Sequence, residues 1–144
     1  MRMHPVEARR RFAEARVARL ATVSAGGQPH LVPIVFAVEG DVLYTAVDDK
    51  PKATRALRRL DNIAGNAQVA VLADHYDDDW TQLWWARADG VARVVGGAEA
   101  ERAIDLLARR YAVYGERRPP GPAVAVEVSR WSGWLAAGDP STSS

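Results

Sequence analysis

The chain has 144 residues, 48% of them hydrophobic and 26% charged, the size and balance of one compact domain that can bury a core without staples. It has no cysteine, which excludes disulfides and thiolate chemistry and accords with a cytoplasmic location. A formal net charge of +1 gives no reason to expect nucleic acid as a partner, and no run approaches the roughly 18 apolar residues of a membrane span.

Arginines crowd the N-terminal residues without the apolar run of a secretory signal. His4-Pro5-Val6-Glu7 opens a helix, because Pro suits a first turn and Glu7 suits its positive end. The pattern predicts a helix over 5–18 with Val6, Phe12 and Ala15 inward. Leu20–Val23 then reads as a strand and Ala25–Pro29 as a turn. His30–Val38 is a nearly continuous apolar run rich in β-branched residues, which predicts a strand covered on both faces. Pro33 cannot donate a ladder hydrogen bond, so its place is an edge or a bulge. Glu39-Gly40-Asp41 is a second tight turn, and Val42–Val47 a third strand.

"KATRALRRL", residues 52–60, follows as a short helix with Ala53, Ala56, Leu57 and Leu60 on one side and Lys52, Arg55 and Arg59 on the other. Asn62, Gly65 and Asn66 read as a connector, Ala67–Ala73 as a fourth strand, and 74–79 as a polar loop. Trp80–Val95 is a fifth strand region, open to a break at Asp89-Gly90. A third helix is expected over 98–111 with Ile104, Leu107 and Ala108 inward, then a rigid exposed loop over 115–122 and a sixth strand over 123–131. Residues 136–144 form a polar tail, and nothing divides 1–135, so a single domain is expected. Six strands with short turns and three small helices predict a mainly β fold, an antiparallel barrel closed or nearly so, because closure removes exposed edges.

The chemistry concentrates in "DDKPKATRALRR", residues 48–59, where five cations meet the start of a helix. Lys50 and Lys52 precede the helix and Arg55 lies in its first turn. Cations there oppose the helix dipole, while the free N–H groups of the same turn attract anions. An anionic ligand explains the placement better than helix stability does, and Thr54 adds a hydroxyl donor. The alternative is a solvated basic face paired with Asp48, Asp49 and Asp61. The segment lacks the aromatics that interleave with cations in single-strand nucleic-acid sites.

Other candidates are weaker. "DHYDDD", 74–79, carries hard oxygen ligands but matches no calcium-loop spacing, so no metal is expected. Of the five tryptophans, Trp84 and Trp85 are adjacent in a strand and must point to opposite faces. One fills the barrel, and the other faces an interface or a ligand. There is no Gly-rich dinucleotide fingerprint and no G-x-S-x-G elbow.

The stretch "RLATVSAGGQPHLVPIVFAVEGDVLYTAVDDKPKATRALRRLDNIAGNAQVAVLAD" resembles the split-barrel flavin-binding superfamily typified by pyridoxamine 5'-phosphate oxidase. The order of strand, Gly-rich hairpin, Val-Pro strand, Leu-Tyr-Thr strand and Lys-rich loop opening a helix is shared. "HYDDDWTQLWWARADGVARVV" is similar to an actinobacterial branch of deazaflavin (coenzyme F-420)-dependent oxidoreductases. The resemblance spans residues 8–132. It implies a six-stranded split barrel that dimerises, with two cofactor sites at the subunit interface.

What the resemblance implies for the site is specific. The cofactor phosphate would meet Lys50, Lys52 and Arg55, with Thr54 assisting. The backbone around Val32, Pro33 and Ile34 would read the pyrimidine edge of the ring, beside Thr45 and Ala46 on the next strand. Trp131 would shape the pocket from the partner subunit. Arg58 and Arg59 would be solvated or would meet a polyglutamate tail. F-420 is the expected cofactor and FMN the alternative, in an oxidoreductase passing a hydride between the deazaflavin and a small organic acceptor. His30, Tyr44 or solvent would supply a proton, and no residue is assigned as catalytic. A non-catalytic carrier on the same fold is the rival from another class.

Overall fold

The computed structural model describes residues 1–47 and 54–136, with the side chains of residues 54–57 set aside. Helix α1 covers Pro5–Glu14, where His4 caps the first turn and Glu7 holds Arg10 and Arg11. It ends four residues earlier than its pattern suggested, at an extended Ala15, because the chain must turn into strand β1, Ala18–Val23. The inward residues are Ala8 and Phe12; Val6 is exposed, contrary to expectation.

The long apolar run is not one strand. It divides into β2, Pro29–Ile34, and β3, Ala37–Glu39, with Val35 and Phe36 between them. Strand β4 covers Val42–Ala46, helix α2 Thr54–Gly65 and strand β5 Gln68–His75. Of the residues read as a connector, Asn62 and Gly65 belong to α2 and only Asn66 lies beyond it, since Ile63 is buried and Asn62 Nδ2 donates to Thr22 Oγ1 at 3.0 Å, a tertiary bond that offsets poor helix propensity. A single 3-10 turn at Trp80–Gln82 precedes β6, Trp84–Val95, so the strand starts later than expected. At Asp89/Gly90 β6 shifts register rather than breaking. Helix α3, Gly97–Arg110, continues into a short α4, Ala112–Glu116, and β7 runs from Ala123 to Leu135, four residues beyond its predicted end.

Seven strands form one antiparallel sheet in the order β2-β1-β5-β6-β7-β4-β3. Six were expected, and the division of the long run supplies the seventh. The two edge strands, β2 and β3, are joined by only two residues, so the sheet has rolled until its edges nearly meet. That is a split barrel, and Pro33 sits on its β2 edge as its missing N–H requires. The interior holds Leu20, Leu43, Val71, Val124 and Val126. The Phe12 ring lies 5.0 Å from Phe36 and 5.4 Å from Trp131, so α1 plugs one end.

The split is held from outside. Tyr111, just past α3, receives the Phe36 N–H at 3.3 Å and directs its hydroxyl proton at Phe36 O (2.9 Å) and Arg16 O (3.1 Å). Arg110 packs over the Phe36 ring at 4.9 Å and donates to Ala15 O. Burial holds the Arg110 guanidinium below its ordinary range. These contacts satisfy backbone groups that a continuous ladder would otherwise have paired.

Candidate functional site

A cleft of 250 Å³ opens where the barrel splits, walled by Pro33, Ile34 and Val35 on one side and by Thr45 and Ala46 on the other. Thr45 is 1% exposed and its Oγ1 donates to Val35 O at 2.8 Å, which ties the end of β4 to the break after β2. Arg59 reaches into this cleft from α2. Its Nε is buried and has no hydrogen-bond partner among the described residues. A desolvated guanidinium N–H left unpaired costs free energy unless a ligand accepts from it.

Further along the same strand and helix lies a polar hollow of 560 Å³, between the β1–β2 hairpin and α2. Its lining includes Ser24, Gln28, His30, Arg58 and Asp61. The hairpin wall is fixed by Ser24 N donating to Gln28 O and Gln28 N donating to Ser24 Oγ, both at 2.9 Å. Its floor is fixed by the Asn62–Thr22 bond. His30 Nδ1 is buried without a partner among the described residues, and neither Arg58 nor Asp61 forms an ion pair among them. Individual small-molecule sites run to roughly 300–1,000 Å³, and these two hollows sit side by side along α2.

Four of the ring-contact residues expected from sequence, Pro33, Ile34, Thr45 and Ala46, therefore come together. Val32 lies between the two hollows but turns inward onto the core. Lys50 and Lys52 fall outside the described residues. Thr54 and Arg55 open α2. Trp131 lies apart within the protomer, 8% exposed, packed on Phe12 and donating its indole N–H to Asp41 at 2.9 Å. Tyr44 does not line the cleft: it packs with Ala100 and Ala103 of α3. Its burial, reinforced by Glu99 and Glu39, pushes the phenol above its ordinary range. Of the acids in 74–79, Asp77 accepts from Asp79 N and Asp79 Oδ1 from Thr81 N and Oγ1 as turn caps, while Asp74 belongs to β5 and pairs with Arg19. The Thr81 bonds hold Asp79 below the usual carboxylate range. Among the described residues no cluster of three acids or histidines is placed to hold a metal.

Sequence reading missed Arg59 as a wall of the cleft, offering it only as solvated or as a tail contact. The signal was present, since Arg59 follows Arg55 by one helical turn and shares its side. The contributions of Val17 and Tyr114 carry no local signal, because each comes from an element that only the fold brings near.

The outer surface of the sheet is the other unusual feature. Cross-strand pairing places Leu31, Ala21 and Ala70 on one face together with Pro33, Arg19, Leu72 and Arg87. Trp85 and Trp134 continue it. Leu31 is 67% exposed, Leu72 37% and Trp134 38%. Trp84 and Trp85 do part to opposite faces, Trp84 packing on the core and Trp85 lying under Arg87 at 5.6 Å.

An antiparallel sheet rolled until its edges are chain neighbours, with a cleft at the split, defines a small split-barrel protein. The chain belongs to the family described as pyridoxamine 5'-phosphate oxidase, whose sequence profile matches residues 5–135. It resembles a crystal structure of an FAD-binding protein from Mesorhizobium loti, with TM-score 0.69 and 18% identity over 92% of this chain and 95% of that one. An FAD-binding protein from Mycobacterium smegmatis gives TM-score 0.67 and 20% identity over 95% and 99% of the two chains. A haem storage protein from Vibrio cholerae gives 0.66 and 19% over 94% and 95%. A comparison with curated proteins finds no match. No helix among the described residues is long and apolar enough to cross a membrane.

Proposed function

We propose that the protein is a cytoplasmic oxidoreductase that binds coenzyme F-420 in the cleft between β2, β4 and α2, and passes a hydride between the deazaflavin and a small organic acceptor. The observation that carries the reading is the meeting of Pro33, Ile34, Thr45 and Ala46 around Arg59, whose buried Nε has no partner among the described residues. Edge strand β2 offers backbone groups to a ring edge. The hollow beside it offers Arg58 and His30 to a phosphate, with the loop cations Lys50 and Lys52 completing the anion site. The cofactor carries the redox chemistry; the chain binds it, orients it and excludes water. FMN is the alternative cofactor, and the FAD-binding proteins of the same fold support a flavin there. F-420 is preferred for its acidic tail beyond the phosphate, which suits the further cations Arg55 and Arg58.

The working unit in this reading is a homodimer. The apolar outer face of β2, β1, β5 and β6 is what supports it, because exposed patches rimmed by charge mark interaction sites. The cleft opens beside that face, and Trp131 of the second copy would approach it. Titration of the purified protein with F-420 and with FMN, followed by fluorescence, tests the cofactor. Tighter F-420 binding that weakens in Lys50→Ala/Lys52→Ala is the expected result; a flat titration with both ligands removes the reading. A carrier without catalysis is the second reading, favoured by the likeness to a haem storage protein. Turnover of reduced F-420 with unsaturated acceptors separates the two.

A further inference from the structure

We infer that Arg59 reads the ring of the cofactor, not its phosphate, and that its charge raises the reduction potential of the bound ring by favouring the electron-rich reduced form. The inference rests on the proposed flavin or deazaflavin site.

The two hollows differ in a way that assigns the two ends of such a ligand. The larger presents a cation, a carboxylate able to accept from hydroxyls, an imidazole and uncharged polar side chains, in Arg58, Asp61, His30, Ser24, Gln28 and Asn62. That set suits the hydroxyls and phosphate of a ribityl chain. The smaller has five apolar residues among its eight, Val17, Pro33, Ile34, Val35 and Ala46, beside Thr45, Arg59 and Tyr114. Its Thr45 hydroxyl proton is already committed to Val35 O at 2.8 Å. Among the described residues a phosphate dianion there would meet Arg59 as its one cation, which compensates a buried dianion poorly. A flat heteroaromatic ring fits apolar walls, and its carbonyl edge needs one or two donors. Arg59 supplies them, with its Nε buried and unpartnered among the described residues.

Charge adds a consequence that hydrogen bonding alone does not. Reduction places electron density on the pyrimidine edge of a flavin or deazaflavin. A guanidinium held there, in a site of lowered dielectric, interacts more strongly with that form than with the oxidised one. No other described cation lines this cleft.

The test compares wild type with Arg59→Gln and Arg59→Lys, using FMN, riboflavin and F-420 as probes. Riboflavin keeps the ring of FMN and lacks its phosphate. Arg59→Gln is expected to weaken FMN and riboflavin by the same factor, about tenfold, leaving their ratio unchanged. It also shifts the oxidised/reduced equilibrium of bound FMN and of bound F-420 about tenfold towards the oxidised form, or about 30 mV for a two-electron couple. Arg59→Lys, which keeps the charge and tests folding independently, restores the potential. A loss of FMN affinity without a loss for riboflavin assigns Arg59 to the phosphate and overturns the inference. So does an unchanged potential with cofactor bound. If wild type binds none of the three probes, the cofactor reading itself fails and the inference falls with it.

Discussion

Replacing Tyr111 by Phe removes one oxygen and leaves every ring contact in place, so it isolates what holds the barrel split. The Tyr111 hydroxyl accepts the Phe36 N–H at 3.3 Å and gives its single proton to Phe36 O at 2.9 Å or Arg16 O at 3.1 Å. Phe36 is 0% exposed, so water does not replace the lost oxygen without opening the split. A buried backbone group stripped of its partner costs about 1–3 kcal/mol. One acceptance and one donation are lost, which gives roughly 2–4 kcal/mol, at the low end because the 3.3 Å bond is long. In a chain of this size that is a fall in Tm on the order of 10 °C. Urea unfolding of wild type and Tyr111→Phe measures it, with Tyr76→Phe, at a 65% exposed tyrosine, as the control expected to change nothing. An unchanged urea slope with a shifted midpoint places the effect in the native state. A difference below about 0.5 kcal/mol, the range of ordinary surface changes, refutes the argument that the hydroxyl carries the unpaired groups at the kink.

Three further outcomes follow from the geometry. Gly90→Ala puts a Cβ 2.3 Å from Glu127 O and 3.0 Å from Val126 Cγ1; because backbone must yield at the register shift, a loss of about 1–3 kcal/mol is expected in thermal unfolding. Hydrogen bonds from Arg10 and Arg11 hold the Glu7 carboxyl down to about 2, against 4.5 unperturbed. The folded value is depressed, so this contribution is full above pH 4.5 and is lost as pH falls towards 2. Tm curves of wild type and Glu7→Gln should therefore differ at pH 6 and converge near pH 2. For the proposed dimer, Leu31→Glu/Leu72→Glu charges the exposed outer face, and light scattering should report a dimer mass for wild type and half of it for the variant, with little change in protomer secondary structure; equal masses for the two would remove this face as the interface.

Much of the barrel was legible because its signals are local. The hairpin at Ser24–Gln28 and the turn at Gly40, with φ at +61°, are written in their glycines. The heptad-like spacing of Ile104 and Leu107 gave α3. The break at Val35-Phe36 was not legible, because no glycine or helix former marks it. The interruption depends on Tyr111, 75 residues away, taking over the ladder bonds. The extension of α2 to Gly65 is similar, since Asn62 reads as a breaker until Thr22 is opposite its amide. The site divides the same way. Pro33 announced an edge strand by its chemistry, whereas the face that Arg59 presents depends on the roll of α2 against the barrel.

That roll links fold to function. A sheet that closed completely would pair β2 with β3 and leave no backbone edge for a ligand. The chain instead stops the ladder two residues short, satisfies the buried N–H and carbonyl of Phe36 from Tyr111, and satisfies the carbonyl of Val35 from Thr45. Among the described residues the buried side-chain polar atoms without a partner are Arg59 Nε and His30 Nδ1, which line the resulting hollows, and Ser132 Oγ on the outer face. Buried polar atoms without partners are few in folded proteins because each is costly. Two such atoms flanking one groove, while the neighbouring backbone groups are provided for, are the pattern expected when the missing partner is a bound molecule rather than a fault in packing.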